Sequence, residues 1–102
     1  MMESLLVHLA TIIPYLRQGS GGPVYGEPET RKCRMEPGTG HKVVYKKPGG
    51  VIQETVANML MFCLGDPIPI YSRVVWEGQE MLVVRCQQMM GPGLHHLEVD
   101  LE

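Results

Sequence analysis

The last third of the chain alternates apolar and polar residues in three short runs, at residues 68–76, 81–86 and 96–102. Alternation with a period of two residues is typical of strands in an antiparallel sheet that buries one face. Gly78 lies between the first two runs, and glycine readily adopts the positive φ that a tight hairpin turn requires. The pattern therefore predicts three antiparallel strands, of which the first two form a hairpin.

The alternation also predicts which side chains of these strands are buried. Val74 and Trp76 fall on one face of the first run, and Leu82, Val84 and Cys86 fall on the matching face of the second run. Because strand side chains alternate between the two faces, we expect these five residues to share the core side of the sheet.

The amino-terminal segment has a different spacing, with Leu5, Leu9, Ile12 and Leu16 separated by four, three and four residues. That spacing places the four side chains on one face of a helix. Pro14 has no amide hydrogen to donate and its ring crowds the preceding turn, so we expect the helix to kink or end there.

Residues 51–64 are compatible with two structures. Ile52 and Val56 recur on one helical face, and Gly65 stands where a helix commonly ends. The apolar stretch at residues 59–64 is equally typical of a buried strand. The length of the whole segment favours a helix over a strand.

Together these segments predict one α+β domain that spans residues 1–102. We expect an antiparallel sheet of about five strands with an amino-terminal helix and a second helix. A length of 102 residues suits a single domain. A hydrophobic content of 44% with 20% charged residues is typical of a folded globular chain and argues against general disorder.

Positive charge is concentrated in two candidate strands, at residues 30–36 and 41–47, which the turn at residues 37–40 is expected to join as a hairpin. The candidate partner-binding residues are the cations and the tyrosine of this hairpin: Arg31, Lys32, Arg34, Lys42, Tyr45, Lys46 and Lys47. The chain from Pro48 onward is predominantly acidic, so the net charge of -2 conceals two oppositely charged regions. We expect the basic hairpin to bind an acidic protein surface, because complementary charges orient association.

Nucleic acid is an alternative partner for this hairpin, since lysine and arginine can follow a phosphate backbone and tyrosine can stack on bases. Nucleic-acid-binding domains are commonly basic overall, whereas this chain carries a net charge of -2. The composition therefore favours a protein partner, and RNA or DNA is the less favoured alternative.

The residues that could carry catalysis or bind a metal are scattered along the sequence. Cys33, Cys63 and Cys86 form neither a CxxC motif nor an even set for disulfides, which favours a reducing, intracellular compartment. His95 and His96 are adjacent on a predicted strand and point to opposite faces, so they are poor joint ligands. No serine, cysteine or glycine-rich segment fits a nucleophile or phosphate-loop motif. We expect a protein that is not an enzyme and that requires no cofactor or metal.

These features predict a non-enzymatic protein-interaction module that forms a homodimer in the cytoplasm. The amino-terminal segment lacks the basic start and the cleavage site of a signal peptide and is too short to span a bilayer. A carrier of a small apolar ligand is a further alternative. Its pocket would be lined by Met59, Met61, Phe62, Trp76 and Leu82.

Overall fold

The computed structural model describes residues 6–91 and 94–102, and these residues form ten β-strands and no helix. The strands are β1 (His8–Ile13), β2 (Tyr15–Gly19), β3 (Gly22–Tyr25), β4 (Glu29–Pro37), β5 (Lys42–Lys46), β6 (Ile52–Val56), β7 (Met59–Cys63), β8 (Arg73–Trp76), β9 (Gln79–Gly91) and β10 (Leu94–Leu101). Six of them close an antiparallel barrel in the order β1, β4, β7, β10, β9 and β8. The predicted α+β class is therefore wrong, and the fold is all-β.

Strand β1 replaces the amino-terminal helix predicted from the leucine spacing. Ala10 and Ile12 point into the barrel, whereas Leu9 is 62% exposed on its outside. Leu5 lies outside the described residues. The strand pairs with β4 on one side and with β8 on the other. Residues 11–13 are all β-branched, and pairing with two neighbours outweighs a weak helical preference.

The second predicted helix, at residues 51–64, is also wrong, because β6 and β7 occupy that segment. Met61 and Cys63 of β7 are buried, and the strand pairs with β4 on one side and β10 on the other. Gly65 adopts a φ of 102° just after β7, so it serves a turn after a strand instead of a helix end. The apolar stretch is a wall strand of the barrel.

Two short hairpins are inserted between neighbouring strands of the barrel. The β2–β3 hairpin lies between β1 and β4, and the β5–β6 hairpin lies between β4 and β7. The predicted hairpin of residues 30–36 and 41–47 is wrong, because β4 pairs with β1 and β7 while β5 pairs with β6. The chain leaves the barrel at Gly38, where an added Cβ would collide with the carbonyl oxygen of Ala57.

The hairpin predicted around Gly78 is present. Trp76 pairs with Gln79, and the intervening Glu77 and Gly78 have φ values of 50° and 77°. A two-residue turn with positive φ at both positions matches the twist of the strands that it joins. The Trp76 ring is only partly buried, with its centroid 5.0 Å from that of His8.

Strand β9 changes its inward face at a β-bulge. Asp100 of β10 pairs with Arg85, but the next residue of β10, Leu101, pairs with Val83. Val84 is therefore an extra residue on β9, and the alternation of the strand shifts by one position there. As a result Val83 and Cys86, three residues apart, both face the barrel core, whereas Val84 packs on the outside of the barrel wall.

This bulge makes the predicted common face of Leu82, Val84 and Cys86 wrong. Cys86 contacts the barrel core, whereas Leu82 and Val84 belong to a separate apolar cluster. Val43 and Tyr45 of β5 complete that cluster, so the β5–β6 hairpin covers the outside of β9. The run of consecutive apolar residues in β9 reflects a strand that is buried on both faces.

The barrel interior is filled by side chains. Its most deeply buried members are Ala10, Ile12, Cys33, Met61, Cys63, Val74, Val83, Leu97, Val99 and Leu101. A barrel of six strands is narrow, and aliphatic and sulfur-containing side chains are sufficient to pack it.

Substitution of one methionine should test the placement of β7. Met61 is fully buried, whereas Met90 on β9 is 71% exposed. We expect Met61→Ala to lower the free energy of unfolding by roughly 2–5 kcal/mol, because it leaves a cavity in a packed core. Met90→Ala, the matched control, should change it by less than about 0.5 kcal/mol. Equal losses in urea unfolding would contradict the position of β7 in the barrel wall.

Candidate protein-interaction surface

The inner face of the β5–β6 hairpin is buried against the barrel. Val43 and Tyr45 pack with Val84 of β9. The Tyr45 hydroxyl donates a hydrogen bond to Glu102 Oε2 at 3.4 Å. Burial of the ring, with the Glu102 carboxylate nearby, raises the pKa of Tyr45. Since Tyr45 faces the barrel, it is not available to stack on a base.

The outer hairpin face, formed by the side chains of Lys42, Val44, Lys46, Ile52, Glu54 and Val56, is directed away from the barrel. Val44, Ile52 and Val56 are 62%, 64% and 42% exposed. In the register of the hairpin, each of these apolar residues lies opposite a charged one. Lys42 Nζ and Glu54 Oε1 form an ion pair at 3.6 Å. The surface therefore combines three exposed β-branched side chains with one ion pair and with Lys46, which forms no ion pair within the described residues.

The predicted partner-binding residues on β4 are separated from this face. Arg31, Lys32 and Arg34 belong to the barrel wall. Arg31 Nη1 donates to the carbonyl oxygen of Asp66 at 2.8 Å, and its Nη2 lies 2.7 Å from Glu29 Oε1.

Arg34 also has a local partner, because its Nε lies 2.8 Å from Glu36 Oε2. Only Lys42, Lys46 and Lys47 of the predicted set lie together near the exposed part of the β5–β6 hairpin. The structure thus divides the predicted basic site into two parts, and the larger part of the β4 charge is neutralised by neighbouring carboxylates.

The prediction missed the apolar residues of the outer hairpin face, Val44, Ile52 and Val56. Val44 has the same strand parity as Lys42 and Lys46, so alternation alone places it on the solvated side of β5. That signal was present in the sequence. Because residues 51–64 were predicted to form a helix, no strand face was assigned to Ile52 and Val56.

A polar cleft of about 140 Å³ lies where the hairpin joins the barrel. Thr39 Oγ1 lies 2.9 Å from His41 Nδ1, and His41 Nε2 lies 3.4 Å from Asp100 Oδ1. Arg85 Nε approaches the other carboxylate oxygen of Asp100 at 3.7 Å. Because the Asp100 side chain is buried, these contacts compensate its charge and attach residues 38–41 to β10. The polar side chains of the cleft therefore attach the base of the hairpin to the barrel.

The cysteine side chains lie in or against the barrel core. Cys33 and Cys63 are directly opposite each other on β4 and β7, and both are fully buried. Burial, together with the neighbouring Cys63, raises the pKa of Cys33 from 9.0 to about 11. A thiol with such a pKa is protonated at neutral pH and is a poor nucleophile. Among residues 6–91 and 94–102, no three His, Cys, Asp or Glu side chains are grouped to hold a metal ion.

The residues predicted to line a pocket for an apolar ligand do not share one cavity. Met61 is buried in the barrel core, and Met59 packs against that core. Phe62 lies between Met61 and Cys63 on the same strand, so its side chain points to the opposite side of the wall. Leu82 packs against the outer cluster beneath the hairpin.

Comparison of the chain with models of protein families, with curated proteins and with solved structures finds no match. Across the described part of the chain there is no helix with the length and hydropathy needed to cross a membrane.

The raised pKa of Cys33 should make stability depend on alkaline pH. The folded state keeps this proton up to about pH 11, whereas an unfolded thiol loses it near 9.0. The contribution of Cys33 to stability is therefore complete below about pH 9 and is lost as the pH rises through about 11. We expect the free energy of unfolding, measured by urea denaturation, to fall between these values.

The matched control for this pH dependence is Cys33→Val, which keeps a side chain of similar size without the ionisable group. Its unfolding free energy should fall less steeply over the same range. Cys63 and Tyr45 also have raised pKa values, so some slope should persist in the variant. Identical slopes for the variant and the unaltered protein would contradict the burial of Cys33.

Proposed function

We propose that this protein is a non-enzymatic protein-interaction module that self-associates through the β5–β6 hairpin. The observation that carries the proposal is the exposure of Val44, Ile52 and Val56 on one face of a hairpin whose opposite face is packed on the barrel. In the register of the hairpin these side chains alternate with Lys42, Lys46 and Glu54, and exposed apolar side chains rimmed by polar residues mark protein-interaction sites.

The energetics of this face favour association. Removing a valine or isoleucine side chain from water stabilises a complex by roughly 1.5–3 kcal/mol when burial is complete. The hairpin is held on the barrel by Val43, Tyr45 and Val84, so little order has to be acquired on binding. A second copy supplies an identical apolar face and therefore matches it in chemistry.

The charges around the hairpin are suited to orienting a partner. Lys46 is exposed on the outer hairpin face, and Lys47 follows it at the turn. Neither lysine has an ion-pair partner within residues 6–91 and 94–102. An acidic surface on the partner would complement them, and such complementarity acts mainly on the rate and orientation of association.

Nucleic acid is less well supported as the partner. Tyr45 is buried, and Arg31 and Arg34 are paired with carboxylates of their own strand. A strand of nucleic acid needs several free cations along one groove, with aromatic side chains beside them.

A reducing, cytoplasmic location also belongs to the proposal, and it is supported by Cys33, Cys63 and Cys86 being free thiols.

Sedimentation velocity over a range of protein concentrations tests the proposal. We expect the unaltered protein to form a dimer as concentration rises. Val44→Ser combined with Ile52→Ser should raise the dimer dissociation constant by roughly 10-fold or more, which corresponds to losing about one buried aliphatic side chain. The control is Leu16→Ser, at another exposed apolar residue, on the β2–β3 hairpin. This substitution should leave the dimer dissociation constant unchanged.

Two results would contradict this proposal. One is an unaltered protein that sediments only as a monomer up to roughly 1 mM, a range that includes weak dimers. The other is a dimer that both the Val44/Ile52 variant and the Leu16 variant retain equally.

A further inference from the structure

Within the described residues, both inserted hairpins have strand edges that pair with no other strand. Each strand of the barrel has a neighbour on both sides, whereas the β2–β3 and β5–β6 hairpins are separate two-stranded sheets. An open edge presents unpaired backbone amides and carbonyls, and it can pair with a strand from another chain.

The β2–β3 hairpin is poorly suited to such pairing. Its register shifts between Tyr15 and Arg17, and β3 contains Pro23, which has no amide hydrogen. Bulges and prolines are common means of blocking an edge. The β5–β6 hairpin has an uninterrupted register, and its strands contain no proline.

The hydrogen bonds at the two ends of the β5–β6 hairpin show which backbone groups of β6 face away from β5. The Lys47 amide donates to Val51 O at 2.7 Å, and the Ala57 amide donates to His41 O at 3.1 Å. In an antiparallel pair, hydrogen-bonded positions recur at every second residue. Gln53 and Thr55 therefore bond to β5.

The alternate residues of β6 are directed the other way. The amides and carbonyls of Ile52, Glu54 and Val56 point to the open side of the strand. We call these backbone groups the β6 edge.

The β6 edge is also the less protected edge of the hairpin. Strand β5 lies against β9, and its exposed residues include Lys42 and Lys46, which are typical of a protected edge. The exposed side chains of β6 are apolar at both ends of the strand, at Ile52 and Val56, with Glu54 between them. The β6 edge can therefore pair with a further strand.

The order of residues in β6 identifies the neighbour. The strand reads Ile52, Gln53, Glu54, Thr55, Val56, which is apolar, polar, acidic, polar and apolar in both directions. An antiparallel copy related by a twofold axis through Glu54 places Ile52 beside the partner's Val56. It also places Gln53 beside the partner's Thr55. Such self-complementarity is what an isologous interface requires.

We propose that β6 pairs in antiparallel register with β6 of a second copy, across a twofold axis at Glu54, to form a continuous four-stranded sheet. This proposal rests on the proposed self-association through the β5–β6 hairpin and adds to it a pairing of strand edges. Pairing along one strand buries less surface than a standard stable interface, so the dimer is weak and concentration-dependent.

The twofold axis places like charges together, and this gives the proposal a distinctive consequence. Glu54 meets the partner's Glu54 directly, and like charges at opposed positions destabilise a strand pair. The ion pair with Lys42, at 3.6 Å, reduces this repulsion without removing it. Neutralising Glu54 should therefore tighten the dimer.

Two substitutions at Glu54 test the strand pairing by sedimentation velocity. Glu54→Pro removes an amide that points away from β5, so the hydrogen bonds within the hairpin remain while the intermolecular ladder is interrupted. We expect it to raise the dissociation constant at least about 10-fold. Glu54→Gln keeps the amide and removes the charge, and we expect it to lower the dissociation constant about 2- to 5-fold.

The results separate this proposal from the proposed function. Glu54→Gln does not threaten the fold, so a weaker dimer in that variant would overturn the twofold register even if Glu54→Pro failed to fold. A folded Glu54→Pro protein that dimerises as the unaltered protein does would overturn strand pairing. If the Val44/Ile52 variant still disrupted that dimer, association through the outer hairpin face would stand. A monomeric unaltered protein would overturn both proposals.

Discussion

The structure depends on the burial of strand β9 from both sides. Its inward residues Met81 and Val83 belong to the barrel core, and its outward residues Leu82 and Val84 would be in water if nothing covered them. Ordinary strand alternation places these four residues on the two faces, and the β-bulge at Val84 then returns Cys86 to the barrel side. The β5–β6 hairpin supplies the cover through Val43 and Tyr45.

This constraint accounts for the exposed surface of the hairpin. A β-strand directs alternate side chains to opposite faces, so a hairpin that places Val43 and Tyr45 on the barrel must direct Val44 outward. Ile52 and Val56 follow the same rule on β6. The contacts among Thr39, His41 and Asp100 fix the base of the hairpin at the barrel wall. The apolar outer face is thus presented by a supported element, and this supports our proposal that it is a contact surface.

The parts of the fold that could be predicted were those governed by local rules. The hairpin at Gly78 required only alternation and a two-residue turn, and both are visible in the sequence. The bulge at Val84 was not predictable in this way, because one inserted residue in an apolar run leaves no local signal. The common face predicted for Leu82, Val84 and Cys86 failed at Cys86 for that reason, and Leu82 faces away from Val74 because it pairs with Arg73 in the hairpin.

The other errors have a common origin in non-local pairing. Strand β1 has two barrel neighbours, and β7 likewise lies between β4 and β10, so hydrogen bonding to distant segments decided their conformation. The basic residues of β4 and β5 are close in sequence, but the two strands belong to different sheets. For the candidate site, the predicted set included the lysines of β5 and omitted Val44, which lies between them.

Residue-resolved amide hydrogen exchange, measured by NMR at low and high protein concentration, tests most directly the claim that the supported hairpin self-associates through its free edge. The account predicts that the amides of Gln53 and Thr55 are protected at both concentrations, since they bond to β5. The amides of Ile52, Glu54 and Val56 should exchange quickly in dilute solution and become protected as concentration rises. Exchange of these three amides that is independent of concentration, in a sample that contains dimer, would contradict the account.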